Sequence, residues 1–116
     1  MGDLDRARMV EILLEAFPAI EPDLLSDSWS ELLHPQMGCF AKYAQRQIDE
    51  GERAAVQRCF ELADRFFRDG TSDVRNAVVV SFLEHLNFTD GKRARSWASP
   101  LLPPRLHNEY LSIEAG

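Results

Sequence analysis

The sequence is poor in residues that bind metals or form disulfides. Its 116 residues include two cysteines, Cys39 and Cys59, and three histidines, His34, His85 and His107. No two of these residues stand at the spacing of a zinc-binding pair such as CxxC or HExxH, so we predict no metal site. Because the sequence shows no export signal, we predict that both cysteines are reduced thiols in the core and do not form a disulfide.

Clustered glycines and long apolar runs are also lacking. The six glycines are isolated from one another, which leaves no glycine-rich loop for phosphate and argues against a nucleotide-binding enzyme. No run approaches the roughly 18 apolar residues of a membrane span, and the first ten residues are charged, unlike a signal peptide. These features predict a cytoplasmic protein with no membrane segment and no cofactor.

Helical periodicity, in contrast, is abundant. Apolar residues recur at intervals of three and four in almost every segment, and no segment alternates with the period of two that an amphipathic strand would show. With 45% hydrophobic residues, the chain can bury one core. The sequence therefore predicts a single all-α domain over residues 1–116, a bundle of five or six helices.

Two helices are predicted in the first 34 residues. The first starts near Asp3 and Asp5, whose charges favour a helix N-terminus, and ends before Pro18. The second is a short helix entered after Pro22. The expected buried faces are Leu4, Ala7, Val10, Leu14 and Phe17 in the first helix and Leu25, Trp29, Leu32 and Leu33 in the second.

Three further helices have clear boundaries. One follows a turn at His34 and Pro35, the next ends before Gly70, and the last begins at Pro104 after a proline-bearing linker, residues 99–104. Their expected apolar stripes are, in order, Met37, Phe40, Ala41, Ala44 and Ile48; Val56, Cys59, Phe60, Ala63, Phe66 and Phe67; and Leu106, Tyr110 and Ile113.

The segment DVRNAVVVSFLEHLNF, residues 73–88, is the most apolar part of the chain. Its run from Ala77 to Val80 suits either a buried strand or a buried helix. A helix is favoured, because Thr71, Ser72 and Asp73 offer an N-cap and no second strand is present as a partner. We predict a central apolar helix at about residues 73–87, with the others packed around it. Its expected buried residues are Val74, Ala77, Val78, Ser81, Phe82 and Leu86, with Val79, Val80 and Leu83 beside them.

Ser81 and His85 lie one turn apart on this predicted helix, as a nucleophile and its base would. A serine nucleophile also needs a third group that orients the base, and an oxyanion pocket. The neighbouring sequence supplies neither. We therefore predict that the protein is not an enzyme and that His85 lies at the polar edge of a buried helix.

Acidic residues are concentrated in the first half of the chain. Residues 1–50 carry ten acidic and four basic side chains, whereas residues 51–116 carry nine of each. The formal net charge of −6 therefore arises in the first half, where six acidic residues and no basic one occur between Glu11 and Glu31. The single basic cluster, Lys92 to Arg95, is short, so nucleic acid is not the expected ligand.

The acidic stretch suits two roles. It can be a solvated face that keeps the protein soluble, or a surface that steers and binds a basic protein. Trp29 lies inside it, and an aromatic side chain among carboxylates suits an interface anchor as well as a core position. The candidate partner-binding residues are Glu21, Asp23, Asp27, Trp29 and Glu31.

Part of the sequence resembles a family of small, acidic, all-helical bacterial proteins of largely uncharacterised function. The resemblance rests on CFELADRFF (residues 59–67), a polar turn and DVRNAVVVSFLEHL (residues 73–86), with Leu33, His34, Pro35 and Phe40 upstream. Some members are similar to immunity proteins encoded beside polymorphic or contact-dependent growth inhibition toxins. The resemblance implies a fold directly and a function only indirectly, and it carries no functional residues.

Charge and resemblance together lead to two hypotheses. The first is an immunity protein that neutralises a cognate bacterial toxin domain, expected to be a basic nuclease, by blocking its active site or substrate groove. Such a protein is expected to be a monomer or weak dimer. The alternative is a small helical scaffold or regulatory subunit that docks a cellular partner through its C-terminal helix.

Overall fold

The computed structural model describes residues 2–28, 31–88 and 96–115. These residues form an all-α bundle, as predicted, in which six α-helices are joined by short helical turns. The helices are α1 (Arg6–Ala16), α2 (Glu21–Leu24), α3 (Leu33–Asp49), α4 (Arg53–Asp69), α5 (Ser72–Ala77) and α6 (Pro104–Ala115). Within the described ranges, no helix is both long and apolar enough to cross a membrane.

Helix α1 begins where the sequence predicts, but its buried face is partly different. Asp5 caps the helix by accepting a hydrogen bond from the backbone N–H of Arg8. Ala7 is exposed, so its prediction as a core residue is wrong. Leu14 is half-buried, so its prediction is partly right. Within the helix, the buried face consists of Met9, Val10, Ile12 and Leu13.

The second predicted helix is shorter than expected, and two of the four residues of its predicted apolar face are exposed. Helix α2 ends at Leu24, which is its buried residue, whereas Leu25 and Leu32 are 39% and 54% exposed. The hydroxyl of Ser26 accepts a hydrogen bond from the backbone N–H of Ser28, an alternative to helical pairing. Leu33, which belongs to the same predicted face, is half-buried against the core, and Trp29, its fourth residue, lies outside the described residues.

Helix α3 starts earlier than predicted and lies at the centre of the core. It begins at Leu33, so His34 and Pro35 occupy its first turn, where proline removes no helical hydrogen bond. All five residues of its predicted stripe are buried. The ring of Phe40 contacts the rings of Phe17, Phe66 and Phe82 at centroid distances of 6.2, 5.9 and 4.7 Å.

Helix α4 buries its predicted stripe except for Phe67, which is half-buried. It stops before Gly70, where a Cβ atom would collide with the carbonyl oxygen of Phe66. The extended segment before α1 pairs with this turn: the N–H of Leu4 donates to the carbonyl oxygen of Asp69, and the N–H of Thr71 donates to that of Leu4. Of the two free thiols, Cys59 is buried as predicted, but Cys39 is only half-buried.

The apolar segment after Gly70 is helical, as predicted, but it is not one regular α-helix. Thr71 caps α5, which continues into a π-helical turn, Val78–Phe82, and a 3₁₀ turn, Leu83–His85. This continuous run packs on α3, α4 and α6. Val80, predicted beside the core, is exposed, because it stands two residues from both Val78 and Phe82, which are buried, and so lies on the opposite side of the helix.

The C-terminal part closes the core. The predicted linker overlaps a 3₁₀ helix, Ser96–Leu101, and α6 begins at Pro104 as predicted. Tyr110 packs against Phe88 with ring centroids 5.0 Å apart, and Arg105 pairs with Asp64 of α4 at 2.8 Å. The predicted basic cluster, Lys92 to Arg95, lies outside the described residues.

Candidate functional site

The four carboxylates predicted to bind a partner are all exposed. Glu21 and Asp23 belong to α2, Asp27 lies in the turn that follows, and Glu31 precedes α3. They therefore occupy one short stretch of chain that connects α1 to α3. The fifth predicted residue, Trp29, is within this stretch but outside the described residues.

Two large apolar side chains are exposed among these carboxylates. Leu25 and Leu32 are two of the four exposed large hydrophobic residues that the described ranges contain, the others being Val80 and Leu111. Their helical spacing predicts that both leucines are buried, because an apolar residue at that spacing normally faces the core, so the pattern does not reveal their exposure. We call Glu21, Asp23, Leu25, Asp27, Glu31 and Leu32 the acidic surface.

A buried glutamine attaches the acidic surface to the core. Gln36 of α3 is fully buried, and its side-chain nitrogen donates to the carbonyl oxygen of Leu24 at 3.2 Å. Its side-chain oxygen accepts a hydrogen bond from Arg6 of α1, also at 3.2 Å. Because Leu24 is itself fully buried, the end of α2 is held by a side-chain anchor and by a hydrogen bond.

A cleft lies between α2 and α3, next to the acidic surface. It has a volume of about 270 Å³ and is lined by Asp23, Pro35, Gly38, Cys39 and Lys42. The exposed part of this lining is mainly apolar. A smaller recess of about 110 Å³ shares three of these residues and extends along α3, where it is also lined by Ala19, Ile20, Tyr43 and Arg46.

The two walls of the cleft are in direct contact. The thiol of Cys39 on α3 points to the carbonyl oxygen of Asp23 on α2, with a sulfur to oxygen distance of 3.6 Å. In the adjoining recess, partial burial raises the pKa of the Tyr43 hydroxyl, and the neighbouring Cys59 raises it further. The hydroxyl therefore stays protonated at neutral pH and acts as a hydrogen-bond donor or acceptor.

The side chains of Ser81 and His85 do not pair, and His85 is exposed at the end of the helical run, as predicted. The Ser81 hydroxyl lies 2.7 Å from Nδ1 of His34, while Nδ1 of His85 donates to the carbonyl oxygen of Ser81 at 3.1 Å. Nothing in the sequence signals the contact with His34, because the two residues are 47 positions apart in the chain and meet only after folding. Ser81 is 5% exposed, and no described carboxylate hydrogen-bonds to the His34 ring. The contact links the first turn of α3 to the π turn.

The described residues hold no cluster of three or more histidine, cysteine or acidic side chains placed to bind a metal ion. The residues of the alternative hypothesis are also accounted for within the fold. Leu106 and Tyr110 of α6 are buried in the core, Ile113 is half-buried against it, and the outward-facing apolar residue of that helix is Leu111.

Comparison with known proteins identifies a family but no characterised relative. A family model described as "Domain of unknown function (DUF7674)" matches residues 10–115. This range includes the acidic surface, the cleft and every helix except the first turn of α1. No curated protein and no solved structure is significantly similar to the chain.

Proposed function

The chain belongs to the DUF7674 family, whose function is unknown, and on this premise we propose that it is a binding protein that holds a basic protein partner on its acidic surface. The exposure of Leu25 and Leu32 among four exposed carboxylates carries the proposal. Apolar contacts at the centre of an interface supply affinity, and charged groups around them supply steering and specificity.

The partner that best fits this surface is a toxin domain. A nuclease binds phosphates through lysine and arginine side chains, and an acidic protein can cover the same groove by offering carboxylates instead. The net charge of −6 and the partial resemblance to immunity proteins support this reading. In this proposal the chain is a non-enzymatic, cytoplasmic immunity protein, a monomer or weak dimer, and Trp29 is an additional anchor within the acidic surface.

The test begins with capture of the partner from cells in which the chain is native. The tagged protein is washed at low and then high salt, and the retained proteins are identified by mass. A captured protein is then purified, and its direct binding is measured by calorimetry at two salt concentrations. We expect a basic protein whose affinity falls as salt rises, because screening weakens charge pairs at a surface.

Two charge-reversed variants locate the interface. In the first, Glu21, Asp23, Asp27 and Glu31 are changed to lysine, and we expect binding to be lost. In the control, four exposed acidic residues outside this surface are changed to lysine, namely Glu50, Glu52, Glu61 and Glu84. The two variants therefore have the same total charge. Equal affinity of the two variants, or unchanged binding by the first, would refute the acidic surface as the binding site.

A further inference from the structure

The cleft between α2 and α3 is kept open by a glycine inside a helix. Gly38 is the sixth residue of α3, and a Cβ atom added there would have no neighbour within 4 Å. Glycine in the middle of a helix costs about 1 kcal/mol relative to alanine. No crowding within the described chain requires a glycine here, since the Cβ atom of an alanine would meet open space.

The walls of the cleft suit an apolar side chain. Pro35, Gly38 and the carbon stem of Lys42 present apolar atoms, and the Cys39 thiol is directed to the carbonyl oxygen of Asp23. The cleft has a volume of about 270 Å³, which leaves room for one large side chain, and it shares three lining residues with the recess farther along α3. Burial of such a side chain is the main favourable contribution that a mostly apolar pocket can make.

The charges around the cleft select the segment that carries this side chain. Between residues 21 and 46 there are four carboxylates, Glu21, Asp23, Asp27 and Glu31, and two cations, Lys42 and Arg46. Of these, Asp23 of α2 and Lys42 of α3 line the cleft on opposite walls, and Arg46 of α3 lines the adjoining recess. A basic segment is therefore attracted to one rim of the cleft and repelled from the other, which fixes its position across the cleft.

We propose that the cleft at Gly38 is the anchor pocket of the acidic surface, and that it takes one leucine-sized or larger apolar side chain from a lysine- or arginine-rich segment of the partner protein. This inference rests on the proposed function and adds to it the residue type that the partner must present. The carboxylates bring the segment to the surface, and the pocket selects the apolar residue.

Two short peptides test the pocket without knowledge of the partner. Each is an acetylated and amidated pentapeptide of four lysines with a central residue, which is leucine in one and alanine in the other. Each is titrated into the full ¹⁵N-labelled chain, and amide shifts are followed by NMR. We expect the leucine peptide to shift the amides of Gly38, Cys39 and Lys42 together with those of the acidic surface, and the alanine peptide to shift the acidic surface alone.

Filling the pocket provides the second test. The variant Gly38→Leu should lower the affinity for the leucine peptide at least about tenfold and leave the affinity for the alanine peptide unchanged, because only the leucine peptide uses the pocket. Ala54→Leu adds the same side chain at an exposed position of α4 and should change the affinity for neither peptide. Gly38→Ala is expected to fold at least as stably as the native chain and to have an intermediate effect.

The outcomes separate this inference from the proposed function. If both peptides shift the acidic surface equally and Gly38→Leu has no effect, the anchor pocket is refuted while the proposed function stands. If neither peptide shifts any amide of the acidic surface or the cleft, both are refuted. If the leucine peptide shifts amides at the cleft in the native chain and in Ala54→Leu, but not in Gly38→Leu, the result supports the pocket.

Discussion

The buried amide of Gln36 donates a hydrogen bond to the carbonyl oxygen of Leu24, the last residue of α2, at 3.2 Å. The same side chain accepts a hydrogen bond from Arg6, so one residue of α3 joins the ends of α1 and α2. Helix α2 has only four residues and could not persist alone in water. Gln36 is therefore a main reason why the acidic surface has a defined position.

Replacement of Gln36 should destabilise the fold more than replacement of an exposed glutamine. In Gln36→Leu, the Leu24 carbonyl loses its buried donor, and we expect the free energy of unfolding to fall by about 1–3 kcal/mol. Urea denaturation followed by circular dichroism measures this change. Gln57→Leu, at an exposed position of α4, is the control and should change stability by less than about 0.5 kcal/mol. Equal effects of the two changes would contradict the anchoring role.

The contact between Ser81 and His34 should contribute to stability as a pair. Ser81→Ala and His34→Ala each remove the 2.7 Å hydrogen bond, and we expect each to cost about 1 kcal/mol. The double variant should cost less than the sum of the two, with a coupling of about 0.5 kcal/mol or more, because both changes remove the same interaction. Strictly additive effects in a urea-denaturation cycle would show that the contact does not stabilise the fold.

Alkaline pH should destabilise the protein through Cys59. Burial raises the pKa of this thiol to about 12, above the value of about 8.5 for an exposed cysteine. Between these values the unfolded chain releases the proton and the folded chain keeps it. The unfolded state then binds fewer protons, so the free energy of unfolding falls with rising pH, by up to about 1.4 kcal/mol per pH unit.

Urea denaturation at pH 8, 9 and 10 measures this slope. The raised pKa of Tyr43 acts in the same direction at still higher pH, so the slope from pH 8 to 10 is expected to be mainly that of Cys59. Cys59→Ala should flatten the dependence, although it lowers stability at every pH by leaving a small cavity. If the free energy of unfolding of Cys59→Ala fell with pH as steeply as that of the native chain, another group would be responsible for the pH dependence.

Gly38→Ala should stabilise the protein. The added methyl group meets no atom within 4 Å, and alanine is favoured over glycine in a helix, so we expect a gain of about 0.5–1 kcal/mol in the free energy of unfolding. Gly51→Ala is the matched comparison, because Gly51 has a φ of 72° and alanine would be strained there. Thermal denaturation of both variants should show opposite shifts, and a loss of stability in Gly38→Ala would mean that the cleft is not open.

Helix α6 should behave as part of the core and not as a detachable docking element. Leu106→Ala removes a fully buried side chain, and a cost of about 2–5 kcal/mol is expected. Leu111→Ala, on the exposed side of the same helix, should change stability by less than about 0.5 kcal/mol. Chemical denaturation that gave small and equal effects would restore the C-terminal docking hypothesis.

The sequence predicts best where a long helix has one apolar face. The stripes of α3 and α4 were assigned almost without error, because each helix has 17 residues and its period is sampled over several turns. The same rule is wrong for Leu25 and Leu32, which have helical spacing, because α2 ends at Leu24 and the Ser26 hydroxyl then accepts a hydrogen bond from the backbone N–H of Ser28. The exposure of Val80 agrees with the same rule, since Val80 stands two residues from the buried Val78 and Phe82, whereas the π turn at Val78–Phe82 leaves no signature in the spacing of apolar residues.

The candidate site was predicted in part. Its four described carboxylates follow from the charge pattern, and their exposure is what charged side chains ordinarily show. The cleft depends on the approach of α2 to α3, and the contact between Ser81 and His34 on the approach of α3 to the π turn. Such distances between remote segments are set by packing, which a single sequence does not display.

The pairing of Leu4 with the turn at Gly70 has a consequence for how the protein unfolds. It joins two segments that are far apart in the chain by two backbone hydrogen bonds, so it requires a large loop to be closed before it is gained. We expect this contact to form late, after the rate-limiting step of folding, because two hydrogen bonds offset little of the entropy lost in closing the loop. Weakening this pairing should therefore leave the folding rate nearly unchanged and accelerate unfolding, so that the lifetime of the folded state depends on a segment that lies outside every helix.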